Sequence, residues 1–146
     1  HIESYLKIQQ FRYQDTLAYN IDIDKALYNF TIPKLLLQPL VENALVHGIR
    51  GKRGKGRISV TGRLEGGNIV FCVTDDGVGM DEEKLYNLRK ASVAGSTQSA
   101  NIAAFGVGNV NERIHIYYGE NYGLFFKSQP DVGTTARVLI PARNVS

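Results

Sequence analysis

The sequence predicts an α+β fold, a two-layer sandwich with helices on one face of a mixed, largely antiparallel sheet. Three observations carry this. Two pairs of strand-like segments are each joined by a short turn rich in Gly or Pro. Segments of helical period fall before, between and after them. The regular strand–helix alternation of a doubly wound sheet is missing.

The elements follow in order. Ile2, Tyr5, Leu6, Ile8, Gln9 and Tyr13 recur in helical rhythm over residues 2–18. Leu17, Tyr19, Ile21 and Ile23 then alternate as a strand, which Asp24-Lys25 turns. Thr31 and Pro33 announce a helix whose apolar face is Leu36, Leu40, Val41, Ala44 and Leu45, ended by Gly48. Pro39 lies inside that span and predicts a kink. Residues 49–56 form a glycine-rich basic loop. Arg57–Glu65 and Asn68–Asp75 read as a hairpin about Gly66-Gly67, and the apolar run Ile69–Val73 as a central strand. Asp81 is placed to cap a short helix, with Glu82 and Glu83 in its first turn. Residues 91–108 are small and polar without a clear period, a length that marks a functional or disordered loop. A helix over Asn109–Tyr118 stops at Gly119. The last hairpin pairs Tyr122–Ser128 with Thr134–Pro141 around Pro130–Gly133.

The composition fits one globular domain of 146 residues, with 43% hydrophobic and 21% charged residues. A net charge of +3 suits an anionic small molecule and is too small by itself to argue for nucleic acid. One cysteine, Cys72, excludes a disulfide framework and a Cys-rich zinc site; inside its apolar run it reads as a small core residue in a reducing compartment. No apolar stretch reaches the ~20 residues that span a bilayer, and no signal peptide is visible. The chain opens on His1 in mid-helix pattern, which suggests a piece of a longer protein.

Four segments carry chemistry. In Leu40–Gly48, Asn43 and His47 share a helix face four residues apart. An Asn carbonyl is a hard oxygen ligand suited to Mg²⁺, and Glu42 beside it can orient water or accept a proton. An exposed polar face of an amphipathic helix is the plainer alternative. Asp75-Asp76-Gly77-Val78-Gly79-Met80 follows a buried strand, so acids and glycines meet in a tight turn close to a ligand. A carboxylate there can accept a hydrogen bond from an exocyclic amine such as that of adenine. An ordinary Asp-Gly turn is the alternative. The oxygen ligands of an EF-hand do not follow at the required spacing. Phe105–Arg113 puts Gly106 and Gly108 at a helix start, where free N–H groups meet phosphate. It follows no nearby strand, which disfavours a dinucleotide fold. Gly133-Thr134-Thr135 enters the last strand. Arg50, Lys52, Arg53, Lys55 and Arg57 make a basic loop without interleaved aromatics, read as solvated, with one cation near a triphosphate and no nucleic-acid partner.

Together and in this order, the segments resemble the GHKL ATPases: histidine kinases, gyrase-type ATPases, Hsp90 and mismatch-repair ATPases. Residues 40–48 look like the N box, 75–79 the G1 box and 104–109 the G2 box. IPKLLLQPLVENALVHGI, YLKIQQFRY, GVGNVNERIHIYYGENYGL and GTTARVLIP are closer still to LytS/YesM-like sensor histidine kinases. The resemblance implies a Bergerat-type ATP fold binding ATP and Mg²⁺. It casts Asn43 as metal ligand, Glu42 as its neighbour at the reaction, and Asp75 on the adenine amino group with Thr134 beside it. Gly77, Gly79 and Met80 would floor the pocket. His47, Gly106, Val107, Gly108 and Asn109 would reach the nucleotide, and residues 91–108 would form a lid. In the G2 box Ala104 replaces the first glycine if the motif is aligned on Asn109; counting from Gly106 leaves Asn111 one residue early.

The implied function is transfer of the γ-phosphoryl group of ATP to a histidine outside this chain, for relay to a response regulator. His1, His47 and His115 are not assigned as the acceptor. Residues 1–18 would end a dimerisation or connector helix, and 19–146 would be the catalytic domain. The parent would be a homodimer anchored in the bacterial plasma membrane with this domain in the cytoplasm. A GHKL-type ATP hydrolase using Glu42 and a non-catalytic module retaining the fold are the alternatives.

Overall fold

The computed structural model describes residues 2–13, 16–33, 36–49, 52, 54–94 and 102–143, with only the backbone of 91–94 and 102–108. Helix α1 (Ile2–Tyr13) leads to strand β1 (Leu17–Ile23). Asp24 then opens a short 3₁₀ turn, its Oδ1 accepting the Ala26 N–H at 3.1 Å. Helix α2 (Gln38–Asn43) continues directly into a π-helical turn, Ala44–Ile49. Strands β2 (Gly56–Glu65) and β3 (Asn68–Asp75) form the first hairpin. Helices α3 (Glu82–Ala94) and α4 (Ile102–Tyr118) precede the second, β4 (Gly123–Gln129) and β5 (Gly133–Pro141).

The five strands lie in the order β1-β2-β3-β5-β4. Only β1 and β2 run parallel; the other pairs are antiparallel. The expected two-layer α+β sandwich and its mixed, largely antiparallel sheet are therefore observed, with β3 at the centre. Gly66 and Gly67 both have positive φ, 55° and 80°, which matches the right-handed twist of the strands they join.

Period-two alternation decides which face is covered. Ile58 and Val60 of β2, Phe71 and Val73 of β3, and Ala136 and Val138 of β5 point into one core. Leu40, Val41 and Leu45 meet them from α2 and the π-helical turn, Leu85 and Leu88 from α3, and Val110 and Ile114 from α4. Leu6 of α1 is fully buried in the same core. The opposite face is polar: in register across all five strands it presents Asn20, Ser59, Thr74, Thr135 and Lys127.

Several local expectations are corrected. Pro39 does not kink a longer helix; it stands in the first turn of α2, where its missing N–H would have had no partner anyway. Residues 31–33 before it are not helical. Helix α4 begins at Ile102, not Asn109, so the proposed lid of 91–108 contains the end of α3, residues 95–101 outside the described set, and the start of α4. Ala103 and Ala104 favour helix, while the nearby glycines hide its period. Cys72 is half-buried on the polar face and is no core residue.

The Asp81 cap is observed: its Oδ1 accepts the Lys84 N–H at 2.8 Å. Asp81→Ala should cost about 1 kcal/mol of stability, read as a lower urea midpoint with an unchanged m-value.

Candidate functional site

The site is built where β3 ends. Asp75 is the last β3 residue on the core-facing side, in line with Phe71 and Val73, and pairs with Thr134 of β5. The residue is only 4% exposed. Oδ1 accepts the Gly77 N–H at 2.9 Å, which folds the chain back sharply. The turn that follows is fastened on both sides. Toward the π-helical turn, the Val78 N–H donates to the Gly48 carbonyl at 3.2 Å. Toward the β4–β5 hairpin, the Asp131 N–H donates to the Val78 carbonyl at 2.7 Å, and the Met80 N–H to Ser128 Oγ at 2.9 Å. Ser128 Oγ also lies 2.7 Å from Thr134 Oγ1, so Met80, Ser128 and Thr134 form one polar chain.

Glycine is required at each close approach. A Cβ on Gly77 would overlap the Gly48 backbone, and one on Gly79 the Gln129 carbonyl; Gly79 also has φ +67°. A Cβ on Gly48 would stand 2.5 Å from Asp75 Oδ1. The Asp75 carboxylate is thus pressed directly on the π-helical turn. Asn43 closes α2 five residues before Gly48, on the same continuous helical segment.

Burial pushes the Asp75 carboxyl up from its ordinary 3.8 to about 6. The Gly77 and Thr134 N–H groups oppose this, neighbouring Asp76 adds to it, and Lys52 opposes it. Lys52 itself pairs with Asp76 at 3.2 Å. The result is a buried acceptor held by backbone amides, poised to take a donor hydrogen from a ligand.

The structure brings Asp75, Gly77, Gly79, Met80 and Thr134 into one constellation with Gly48. Asn43 is half-buried at the junction of α2 and the π-helical turn, while Glu42 and His47 are exposed. Glu42 Oε1 accepts from Gln38 Nε2 at 3.1 Å along the same helix. Gly106, Val107 and Gly108 do not open α4 as expected: the helix begins at Ile102, so they stand at its fifth to seventh positions, past the first four N–H groups that a helix leaves free, and the description there is of the backbone alone. Asn109 is half-buried. Asn111, the other candidate for the G2 register, is buried and its Oδ1 accepts the Leu124 N–H at 3.0 Å. That bond ties α4 to β4.

Sequence reasoning missed three contributors. Gly48 reads in sequence as a helix stop, yet it is the surface against which Asp75 packs. Ser128 carries no motif; only its register with Thr134 reveals its role. Gly133, with φ +137°, lets β5 pass the Asp75 carbonyl, and its place before Thr134 was the available signal.

Among the described residues no cluster of three His, Cys, Asp or Glu side chains is present. A divalent ion here would need oxygens beyond the protein's own acids, an amide such as that of Asn43 together with ligand phosphates and water.

A family model described as histidine kinase-, DNA gyrase B- and HSP90-like ATPase matches residues 31–144. Sensor histidine kinase YesM of Bacillus subtilis is 33% identical over 143 residues, covering 98% of this chain and 23% of that protein. Sensor histidine kinase YpdA of Escherichia coli is 35% identical over 140 residues, covering 96% and 23%. The chain spans less than a quarter of the length of these two relatives. Among solved structures, the catalytic domain of histidine kinase ThkA superposes with a TM-score of 0.69 over 97% of this chain and 91% of that one, at 13% identity. The histidine kinase domain of a blue-light activated kinase from Erythrobacter litoralis gives 0.64 over 93% and 56%, at 19% identity. At these identities the structures establish the fold.

Proposed function

Because this chain belongs to the histidine kinase-, DNA gyrase B- and HSP90-like ATPase family, we propose that it is the ATP- and Mg²⁺-binding catalytic domain of a two-component sensor histidine kinase. It passes the γ-phosphoryl group of ATP to a histidine carried outside residues 1–146. The observation that supports this best is the Asp75 carboxyl, buried, raised to about 6 and packed against Gly48 on the segment that carries Asn43.

The roles follow from the chemistry of each group. Asp75 accepts the adenine amino hydrogen, with Thr134 beside it in the Ser128–Met80 chain. Gly77 and Gly79 keep the floor thin enough for the base. Asn43 supplies an amide oxygen to Mg²⁺, which when bound neutralises developing charge on the phosphates. Asn109 and the N–H groups at the start of α4 approach the phosphates, as does His47. Glu42 stands beside Asn43 at the reacting end. Helix α1 (Ile2–Tyr13) is the end of a connector or dimerisation helix; the expected boundary at residue 18 moves forward, because Leu17 and Ala18 already pair with β2 as part of β1. The response regulator, the homodimeric parent and its anchor in the plasma membrane belong to the same proposal. No helix among the described residues is itself long and apolar enough to cross a membrane.

The test supplies γ-labelled ATP to the chain together with the histidine-bearing segment of its parent. Label is expected on that segment. Asn43→Ala should lower the transfer rate about 100-fold or more, while affinity for metal-free ADP stays nearly unchanged. Label accumulating on His47 or His115 of this chain would contradict the assignment.

A further inference from the structure

The polar face of the sheet, turned away from the helices, carries a hollow of about 450 Å³ at the end nearest the Asp75 turn. Its floor is the row Ser59, Thr74 and Thr135, one residue from each of β2, β3 and β5. Its two sides are Arg57 on β2 and Lys127 on β4. Three strand spacings separate those sides, about 14 Å between backbones, so both long side chains can lean over the floor between them.

The charges on this face are unevenly satisfied. At the far end Arg63 is held by Asp22, side chain to side chain at 2.6 Å and onto the Asp22 carbonyl at 2.8 Å. Two acids border the hollow and both are engaged: Asp75 Oδ1 accepts the Gly77 N–H, and Asp76 accepts the Arg57 backbone N–H at 2.7 Å and pairs with Lys52 at 3.2 Å. The Arg57 guanidinium and the Lys127 ammonium have no side-chain partner among the described residues. The Thr74 and Thr135 hydroxyls, 3.2 Å apart, share one hydrogen bond and leave one hydroxyl hydrogen for the floor to donate. A concavity of drug-like size with two unpaired cations and a hydroxyl floor selects for an anion.

We propose that this hollow binds a small organic or inorganic oxyanion, a phosphate- or carboxylate-bearing molecule, on the face of the sheet opposite the helices. The Arg57 fork and the Lys127 ammonium take its charged oxygens, and the Thr74–Thr135 pair donates its remaining hydroxyl hydrogen from below. Thr74 and Asp76 flank Asp75 in the chain but belong to the opposite side of the sheet, so the hollow opens on the far face of β3 and meets the Asp75 site only at the strand end, where Asp75, Ser128 and Thr134 border both.

The experiment titrates inorganic pyrophosphate, and separately citrate, into the isotope-labelled chain and follows amide shifts. Saturable shifts at Ser59, Thr74 and Thr135 are expected; a response to both probes marks a general oxyanion site, and to pyrophosphate alone a phosphate site. The Arg57→Gln/Lys127→Gln variant should weaken them about tenfold or more. Lys25→Gln/Lys90→Gln removes the same charge elsewhere and should leave them intact. Shifts confined to residues 43–48 and 77–80, no saturable shifts, or equal weakening in the two variants would overturn the proposal.

Discussion

Asp75→Asn should make the domain more stable at pH 8 and at the same time poorer at binding adenine nucleotides. The carboxyl is raised from 3.8 to about 6 chiefly by burial, so its ionised form is the costly one in the folded state. Between those values the folded chain holds a proton that the unfolded chain has lost. Stability from this group is therefore fully present below pH 3.8 and is lost as pH rises through about 6. The gap corresponds to roughly 3 kcal/mol at pH 8. An asparagine side chain keeps an oxygen for the Gly77 N–H and carries no charge to desolvate. Urea unfolding at pH 4.5 and pH 8 should show the variant gaining on the parent as pH rises. Binding moves the other way. With its oxygen held by the backbone amides, the substituted side chain would present an NH₂ group to the adenine amine, donor against donor. Affinity should fall about 10- to 100-fold. The parent should weaken likewise below pH 6, as the protonated carboxyl loses an acceptor. Calorimetric titration with ADP over pH 5–8 checks both.

Gly77→Ala should be the most damaging single-methyl change in the site. The new Cβ would enter the Gly48 backbone, which is covalently part of the π-helical turn and cannot swing aside as a side chain would. Either the turn after β3 or the end of the α2 segment must move, at a cost of about 3 kcal/mol. Because those two parts carry the base and metal ends of the proposed site, nucleotide affinity should fall with stability. Gly66→Ala is the informative comparison. It also has a positive φ, 55°, but its Cβ would enter open space. It should cost only about 1 kcal/mol and leave binding unchanged. Urea midpoints and ADP titrations of the two variants separate collision from backbone conformation.

The sheet was legible because its signals are local. Ile58 and Val60 alternate with polar residues, Gly66-Gly67 allows one tight turn, and Ile69–Val73 had to be central. The helices were less so. Pro39 signals a first turn and a kink equally well, and only the non-helical stretch before it decides. The π-helical turn at Ala44–Ile49 leaves no compositional mark, since one extra residue in a turn changes spacing and not residue type. Within the site, Asp75, Gly77 and Gly79 announced themselves by following a buried strand. Gly48 and Ser128 did not, because their importance lies in what comes near them through space. The same holds for Arg57, which belongs in sequence to a basic loop and in space to the face opposite the helices.

In the proposed function, Asp75 and the segment bearing Asn43 border a single nucleotide site on the helix side of the sheet. Amide and side-chain NMR of the labelled chain during addition of Mg²⁺·ADP tests it most directly. Coordinated shifts are expected at Gly48, Gly77 and Thr134 and at the Asn43 side-chain amide, with a common saturation curve. Shifts at the Asp75 turn that leave Asn43 and Gly48 untouched, or none at either, would contradict it.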